Sequence, residues 1–467
     1  MIMYKKIEGP FEPTWESLSQ FKIPDWYINA KFGIFIHYGV YSVPAFSNEW
    51  YPRNMYIKGS KEYEYHIKTY GNPKEFGYKD FIPMFKAEKF DPDEWADLFR
   101  KAGAKYVVAV AEHHDGFAMY DCSFTRWCAT KMGPQKDIIG ELAKALKRHF
   151  LTFGISYHRA EHWWFFHEGT KFESDVQDRN YIDLYGPAQP ETTQPNEEFL
   201  EDWYIRLCEI VDKYQPQIVY FDWWIEQPVF EPYLKRFSAF YYNRGYQWQK
   251  GVAINYKLNS FPRSCAVYDV ERGVQDDIDP IFWQTDTSIS RLSWGYIEND
   301  EYKSSKEIIQ DLIDIVSKNG ALLLNVGPKS DGTIPEPAKN ILLEIGHWLL
   351  INGEAIYETR PWKIYGEGPT KVIAGSFKEA PKNFTGDDFR FTTKGDNLYI
   401  FVMEKPEKTP ILIRSLSDRI TLYPKRIEKV EILQTKESVN FQRDEDGLRV
   451  FLENLDKYVY PLALKVY

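Results

Sequence analysis

The sequence predicts an α/β fold: a (β/α)8-like TIM barrel over residues 1–355, followed by a C-terminal all-β sandwich domain over residues 356–467. Three observations lead there. Over the first three-quarters of the 467 residues, short β-branched and aromatic runs alternate with amphipathic stretches, the mark of βα units around a parallel sheet. No G-x-G-x-x-G follows any such run, so the main cue for an open dinucleotide-binding sheet is missing. Beyond Tyr357 the pattern changes to short alternating strands broken by Gly, Asp, Asn and Lys turns.

The barrel strands are expected at Phe32–His37, Lys105–Ala111, Thr152–His158, Gln217–Asp222, Gly251–Asn255, Ala266–Val270, Ile281–Thr285 and Ala321–Val326. Helices are expected at Pro92–Lys101, Asp137–His149, Glu197–Tyr214, Lys303–Lys318 and Pro335–Leu350. In the second of these, Ile138, Leu142, Ala145 and Leu146 share one face of a 3.6-residue period. Between Gly251 and Trp294 the strands leave little room for helices, so the fifth and sixth units should be degenerate. Pro361, Gly366, Gly368 and Pro369 mark the joint between the domains. Strands of the second domain are expected at Lys371–Ser376, Asp388–Thr393, Leu398–Glu404, Arg426–Leu433, Val439–Arg443 and Leu448–Leu452. Its rings at Phe389, Phe391, Tyr399 and Phe401 alternate as strand-core residues do, so this domain is expected to brace the barrel rather than bind a ligand.

The 58 basic and 68 acidic residues leave a formal net charge of -10, which argues against nucleic acid as a partner. Aromatic residues make up 17% of the chain, and rings stack on the C–H faces of sugars as well as filling cores. The composition therefore tilts towards a carbohydrate ligand. Cys122, Cys128, Cys208 and Cys265 form no C-x-x-C pair and read as reduced core thiols. The opening MIMYKKIEGPFEPTW has lysines, a glutamate and prolines where a secretory leader needs an apolar run, and no apolar run exceeds strand length. A cytoplasmic protein with no membrane partner and no cofactor is expected.

Ligands of such a barrel meet the C-terminal ends of its strands. Polar residues stand at six consecutive expected ends: His37; Glu112 with His113, His114 and Asp115; Tyr157 and His158; Asp222 with Trp223 and Trp224; Asn255 and Lys257; Asp269, Glu271 and Arg272. The buried run Ile218–Phe221 delivers Asp222 to the mouth between rings, where a carboxylate can attack an anomeric carbon or balance an oxocarbenium-like charge. A glycosidase needs a second carboxyl to protonate the leaving oxygen. Glu271, Asp269, Glu226, Glu49 and the Asp276–Asp277 pair are candidates, and Glu271 suits best because it lies just past a strand end. A rival reading comes from His158-Arg159-Ala160-Glu161-His162, which matches the H-x-x-E-H of inverted zinc peptidases. It starts at a strand end rather than inside a helix, and no metal is expected there.

The chain resembles glycoside hydrolase family 29, the retaining α-L-fucosidases. The resemblance is carried by Ala30–Pro44 (AKFGIFIHYGVYSVP), Asn48–Tyr51 (NEWY), Gly103–Tyr106 with Glu112–Phe117 (EHHDGF), Gly133–Asp137 (GPQKD) and Leu322–Thr333 (LLLNVGPKSDGT). It implies the same barrel and sandwich and exo-hydrolysis of terminal α-L-fucosyl linkages, with a fucosylated oligosaccharide or glycoconjugate as partner. It implies Asp222 as nucleophile and, with less sharp alignment, Glu271 as acid/base, with Glu49 a lesser option. His37, Glu49, Trp50, His113, His114, Tyr157, Tyr220, Lys257 and Trp294 fall in the substrate-binding set. Tyr220 and Lys257 stand where some members have Trp and Arg, which keeps a related α-L-hexoside, such as an α-L-galactoside, as the alternative substrate class.

Overall fold

The computed structural model describes residues 7–467; part of the stretch read for a leader, residues 1–6, lies outside them. Eight parallel strands make the barrel: β1 (Phe32–Ile36), β2 (Tyr106–Glu112), β3 (Thr152–Tyr157), β4 (Ile218–Phe221), β5 (Ala253–Tyr256), β6 (Val267–Tyr268), β7 (Trp283–Ser288) and β8 (Gly320–Val326). Their spatial order is β6-β5-β4-β3-β2-β1-β8-β7, and a single parallel bridge between Asp269 and Gln284 closes β6 onto β7. Every residue of β1, β2, β4, β5, β7 and β8 is buried. That is the reason β1, β2, β4 and β8 read as largely apolar runs, with helices covering the outside while side chains fill the inside; β7 (WQTDTS) is equally buried but carries polar groups inward.

Alternate residues of the strands, among them Phe35, Val108, Tyr220 and Leu323, form an inner cluster below the mouth, joined by Tyr27 and Tyr106. A polar column runs through it. The Tyr27 and Tyr106 hydroxyls donate to Gln284 Oε1 at 2.5 and 2.9 Å, and Gln284 Nε2 donates to Asp269 Oδ2 at 2.7 Å. The buried polar groups of the interior are thus paired up towards the mouth.

The expected helices form at Pro92–Lys101, Ile138–Arg148, Glu197–Tyr214, Ser305–Ser317 and Glu336–Asn352. Side chains that accept from first-turn amides start four of them: Asp91, Asp137, Asn196 and Ser304. A sixth long helix, Glu231–Trp248, has no counterpart in the sequence reading. Leu234 and the whole run Phe237–Asn243 are buried, so no polar face marks a 3.6-residue period. As expected, β5, β6 and β7 follow one another with no α-helix between them.

The second domain holds β9 (Arg360–Glu367), β10 (Phe389–Lys394), β11 (Asn397–Val402), β12 (Ile411–Ile413), β13 (Val430–Ile432), β14 (Phe441–Arg443), β15 (Leu448–Val450) and β16 (Leu462–Val466). They form two antiparallel sheets, ordered β13-β16-β11-β10-β9 and β12-β15-β14, over a core of their own. Three strands, β9, β12 and β16, were not expected. Pro361 and Gly366 lie within β9 rather than in a linker, and β9 is tolerant of proline because it is an edge strand. The run Lys371–Ser376, expected as a strand, is instead a loop: its backbone turns at Gly375 (φ 108°) and pairs with the barrel at Val274.

The two domains share buried charges. Asp314, on the helix Ser305–Ser317, accepts from Lys318 Nζ at 2.8 Å and from Arg390 Nε of β10 at 2.6 Å, and both acceptor and guanidinium are almost fully buried. Burial opposes ionisation of Asp314, but Arg390 and Lys318 hold its carboxyl below the usual range. All four cysteines are buried and free. Among the described residues no helix is long and apolar enough to cross a membrane. Replacing Asp314 by Ala leaves two buried cations without their acceptor, so Asp314→Ala should lose about 3–5 kcal/mol of stability, read as a lowered unfolding midpoint.

Candidate active site

Each barrel strand brings a polar side chain to the same end. His37 follows β1, His113 and His114 follow β2, His158 follows β3, Asp222 follows β4, Lys257 follows β5 and Glu271 lies three residues past β6, while Asp286 and Asn325 sit within β7 and β8. Strands with period-two alternation and a common tilt give this convergence. Between these ends lies a cavity of about 510 Å³, within the ~300–1,000 Å³ of small-molecule sites.

At its centre is the ammonium of Lys257. Its Nζ donates to Asp222 Oδ1 at 2.9 Å and to Glu271 Oε2 at 2.6 Å, and Asp286 Oδ2 stands 3.7 Å away. Burial raises the cost of ionising Asp222, yet the Lys257 charge, then His158 and His114, overcome it and hold the carboxyl well below the usual range. His158 Nδ1 is 2.8 Å and His114 Nε2 3.7 Å from Asp222 Oδ2. Glu271 goes the other way. Burial lifts it, Lys257 opposes, and the charges of Asp286 and Asp222 lift it further, to about 7. Two carboxyls on one lysine are thereby pushed apart, one ionised and one able to hold a proton near neutrality.

The histidines divide in the same way. Burial holds His37, His113 and His158 below the ordinary range as neutral imidazoles. The His37 Nδ1–H donates to Asn325 Oδ1 at 2.7 Å, which leaves Nε2 free to accept. Among the described residues, His113 Nδ1 is buried with no hydrogen-bond partner. For His114, burial is outweighed by Glu161, whose Oε2 lies 3.1 Å from Nδ1, and by Asp222, and its pKa rises to about 9. Burial in turn pushes the Glu161 carboxyl up to about 7. The H-x-x-E-H stretch therefore does not assemble as a zinc site. Its first histidine faces Asp222, its glutamate pairs with His114, and the Nδ1–H of His162 donates to the His114 carbonyl at 2.9 Å. Residues Arg159–Glu161 form a 3-10 turn, so the two histidines are not stacked on a helix face. Two other trios, His37 with His113 and His158, and His114 with His158 and Asp222, have ligand atoms within 4.8 Å of one another and could hold a cation. Most of these side chains line the cavity, so a cation and a sugar would compete there.

Of the eleven residues expected in the site, Asp222, Glu271, His37, Glu49, Trp50, His113, Lys257 and Trp294 line the cavity. Glu49 accepts from the Trp294 amide at 2.8 Å and from Ser293 Oγ at 3.1 Å, and so fixes the loop that carries the Trp294 ring. The Trp50 ring lies 4.9 Å from the His114 ring. His114 and Tyr220 stand behind the lining: His114 near Asp222, and Tyr220 with its hydroxyl donating to Asp286 Oδ2 at 2.8 Å. Tyr157 is a correction. Alternation along β3 turns it out of the barrel, where its hydroxyl donates to the Trp203 carbonyl at 3.1 Å; the inward positions are Ser156 and His158, in mutual contact at 2.5 Å. Asp286 was missed because its strand was ended at Thr285, whereas β7 runs on to Ser288. Ser376 and Phe377 also line the cavity, so the second domain supplies part of the site beyond its expected bracing role.

A ring-lined cavity at the C-terminal end of a (β/α)8-like barrel, into which two carboxyls of opposed protonation and neutral imidazoles project, defines a glycoside hydrolase. The α-L-fucosidase family model matches residues 2–354, and the chain belongs to that family. It is 30% identical to the tissue α-L-fucosidase of Homo sapiens over 462 residues, covering 97% of this chain and 90% of that one. The plasma α-L-fucosidase of Homo sapiens is 34% identical over 394 residues, covering 82% of this chain and 80% of its own. The Thermotoga maritima α-fucosidase in complex with a mechanism-based inhibitor superposes with a TM-score of 0.80 at 32% identity, covering 98% of this chain and 99% of that one. Its complex with fucose gives 0.78 at 31% identity, covering 98% and 100%. The protein is an α-L-fucosidase, a glycoside hydrolase acting on fucosylated substrates.

Lys257 is the largest charge keeping Asp222 ionised. Lys257→Met should lower kcat/KM by about 10²-fold and let the Asp222 pKa climb. A pH–rate profile should then show activity falling on the acid side, where the wild type is flat.

Proposed function

We propose that the protein removes terminal α-L-fucosyl units by double displacement with retention, using Asp222 as nucleophile and Glu271 as acid/base. The Lys257 bridge carries this reading. Its two bonds keep the bonded oxygens of Asp222 and Glu271 no more than about 5.5 Å apart, the spacing of retaining enzymes (~5–5.5 Å) and too short to seat the water of inverting ones (~6.5–9.5 Å). In the first step Asp222 attacks the anomeric carbon while Glu271 protonates the departing oxygen, so the C–O bond breaks as a glycosyl–Asp222 ester forms. In the second, Glu271 takes a proton from water, the water oxygen bonds to the same carbon, and Asp222 leaves as a carboxylate.

The neutral imidazoles of His37, whose Nε2 is free to accept, and of His113, whose Nδ1 is unpaired, are suited to sugar hydroxyls, while His158 is held between Asp222 and Ser156. Below them the rings of Phe35 and Trp294, 6.2 Å apart, close the floor and make an apolar corner. A closed floor suits an exo-acting enzyme. The apolar corner suits the methyl group of fucose over the hydroxymethyl of an α-L-galactoside, whose hydroxyl would lose its water there without a partner.

Release of nitrophenol from an aryl α-L-fucoside, run beside the α-L-galactoside and with EDTA, tests the reading. Turnover of the fucoside unaffected by the chelator is expected, with Asp222→Gly inactive and partly restored by azide as a β-linked fucosyl azide; chelator-sensitive turnover would instead return a metal to the mechanism. Because Glu271 must carry a proton in the first step, kcat/KM should fall as pH rises through about 7. Glu271→Gln should abolish that limb on substrates with poor leaving groups, and an intact limb in this variant would assign the acid elsewhere.

A further inference from the structure

The cavity is larger than one sugar. At about 510 Å³ it has room for roughly 17 waters at ~30 Å³ each, more than the heavy atoms of one 6-deoxyhexose fill. Its deep part is polar or closed by buried rings, whereas its rim is apolar and open: Phe377 is 69% and Leu258 51% exposed, and Trp223 is half-buried beside Asp222.

Phe377 comes from the loop between β9 and β10, and that loop is clamped to the barrel beside the acid/base. The Phe377 amide donates to the carbonyl of Glu271 itself at 2.8 Å; the Gly375 and Glu379 amides donate to the Val274 and Arg272 carbonyls, each at 2.9 Å. Approach this close requires glycine at 273, where a Cβ would stand 2.1 Å from the Gly375 carbonyl oxygen. The Glu379 carboxylate then pairs with the buried Lys303 and accepts from Thr287 Oγ1 at 2.7 Å. Phe377 itself is held at φ 58°, a left-handed conformation rare for a bulky residue. Such strain, kept by the structure around it, concentrates at ligand clamps and active sites.

The position of Glu271 fixes which way the leaving group departs, because the acid must reach the glycosidic oxygen. The ring that carries this oxygen therefore lies on the Glu271 side of the cavity, where Phe377 is fastened. We infer that Phe377, with Leu258 and Trp223, forms a subsite for the leaving sugar, and that its ligand is a hexopyranose presenting a C–H face to the phenyl ring. The inference rests on Glu271 as proton donor. The second domain, through one loop, then takes part in choosing the substrate.

The test is the ratio of kcat/KM for an α-L-fucosyl hexose disaccharide to kcat/KM for α-L-fucosyl fluoride, whose leaving group is one atom and cannot stack. The ratio does not depend on how much of a variant is folded. Phe377→Ala should lower it about tenfold and Phe377→Trp should keep it. An unchanged ratio in Phe377→Ala, or the same drop in Phe377→Trp, overturns the subsite. Glu271→Gln, measured beside them, should lose the disaccharide far more than the fluoride, which needs no acid to depart. If instead it keeps disaccharide turnover, the acid/base assignment fails, and the side of the cavity argued here fails with it.

Discussion

One buried ammonium organises the catalytic end of this protein. Lys257 lies between Asp222, Glu271 and Asp286 in a space that excludes most water, where charges interact far more strongly than at a surface. Three acidic groups could not be gathered there without a cation, and a buried cation would be equally costly without them. The lysine bonds to both carboxyls at once, so it sets their separation as well as their protonation. The preference for ionised Asp222 beside protonated Glu271 comes from which other charges each one faces. Asp222 meets the charge of His114 and the ring Nδ1 of neutral His158, while Glu271 meets the charges of Asp286 and Asp222.

Around that centre the barrel interior serves as support. The column from Tyr27 through Gln284 to Asp269, and the Tyr220 hydroxyl on Asp286, satisfy polar groups that would otherwise be orphaned below the site. Glu161 does the corresponding work on the other flank, giving His114 a counter-charge so that it can face Asp222 as a cation. The H-x-x-E-H stretch is thus an arm of the sugar site: His158 faces Asp222, Glu161 and His162 hold His114, and Arg159 ties the stretch to Glu112 and Asp202.

The β6–β7 junction is held by few backbone bonds, chiefly the Val270 and Arg272 amides on the Gln284 and Asp286 carbonyls, and no α-helix intervenes in the chain between β5, β6 and β7. That is where the loop of the second domain docks, with its amides on the Glu271, Arg272 and Val274 carbonyls and Glu379 on Lys303. With the Asp314–Arg390 pair, this makes the second domain part of the wall that holds Glu271 in place.

The approximate positions of the eight barrel strands and the residues at the ends of the first six were legible in the sequence, because most of these buried parallel strands are apolar runs whose last residues are forced to the mouth. Asp222, Lys257, His37 and the His113–His114 pair were found on that ground alone, and the family resemblance added the substrate. Other features depended on the fold. Tyr157 and Ser156 exchange faces by one residue of register, Asp286 depends on how far β7 runs, and the helix Glu231–Trp248 shows little periodicity because its middle, Phe237–Asn243, is buried on every side. The run Lys371–Ser376, just before Phe377, reads as a strand because its alternation is local, while the role of this loop comes from backbone bonds to residues about a hundred positions earlier. The sequence alone determined which groups reach the mouth, since that follows from short-range periodicity. Only the tertiary structure decided their protonation, their spacing and the wall lent by the second domain, because these are set by charges and contacts between distant segments.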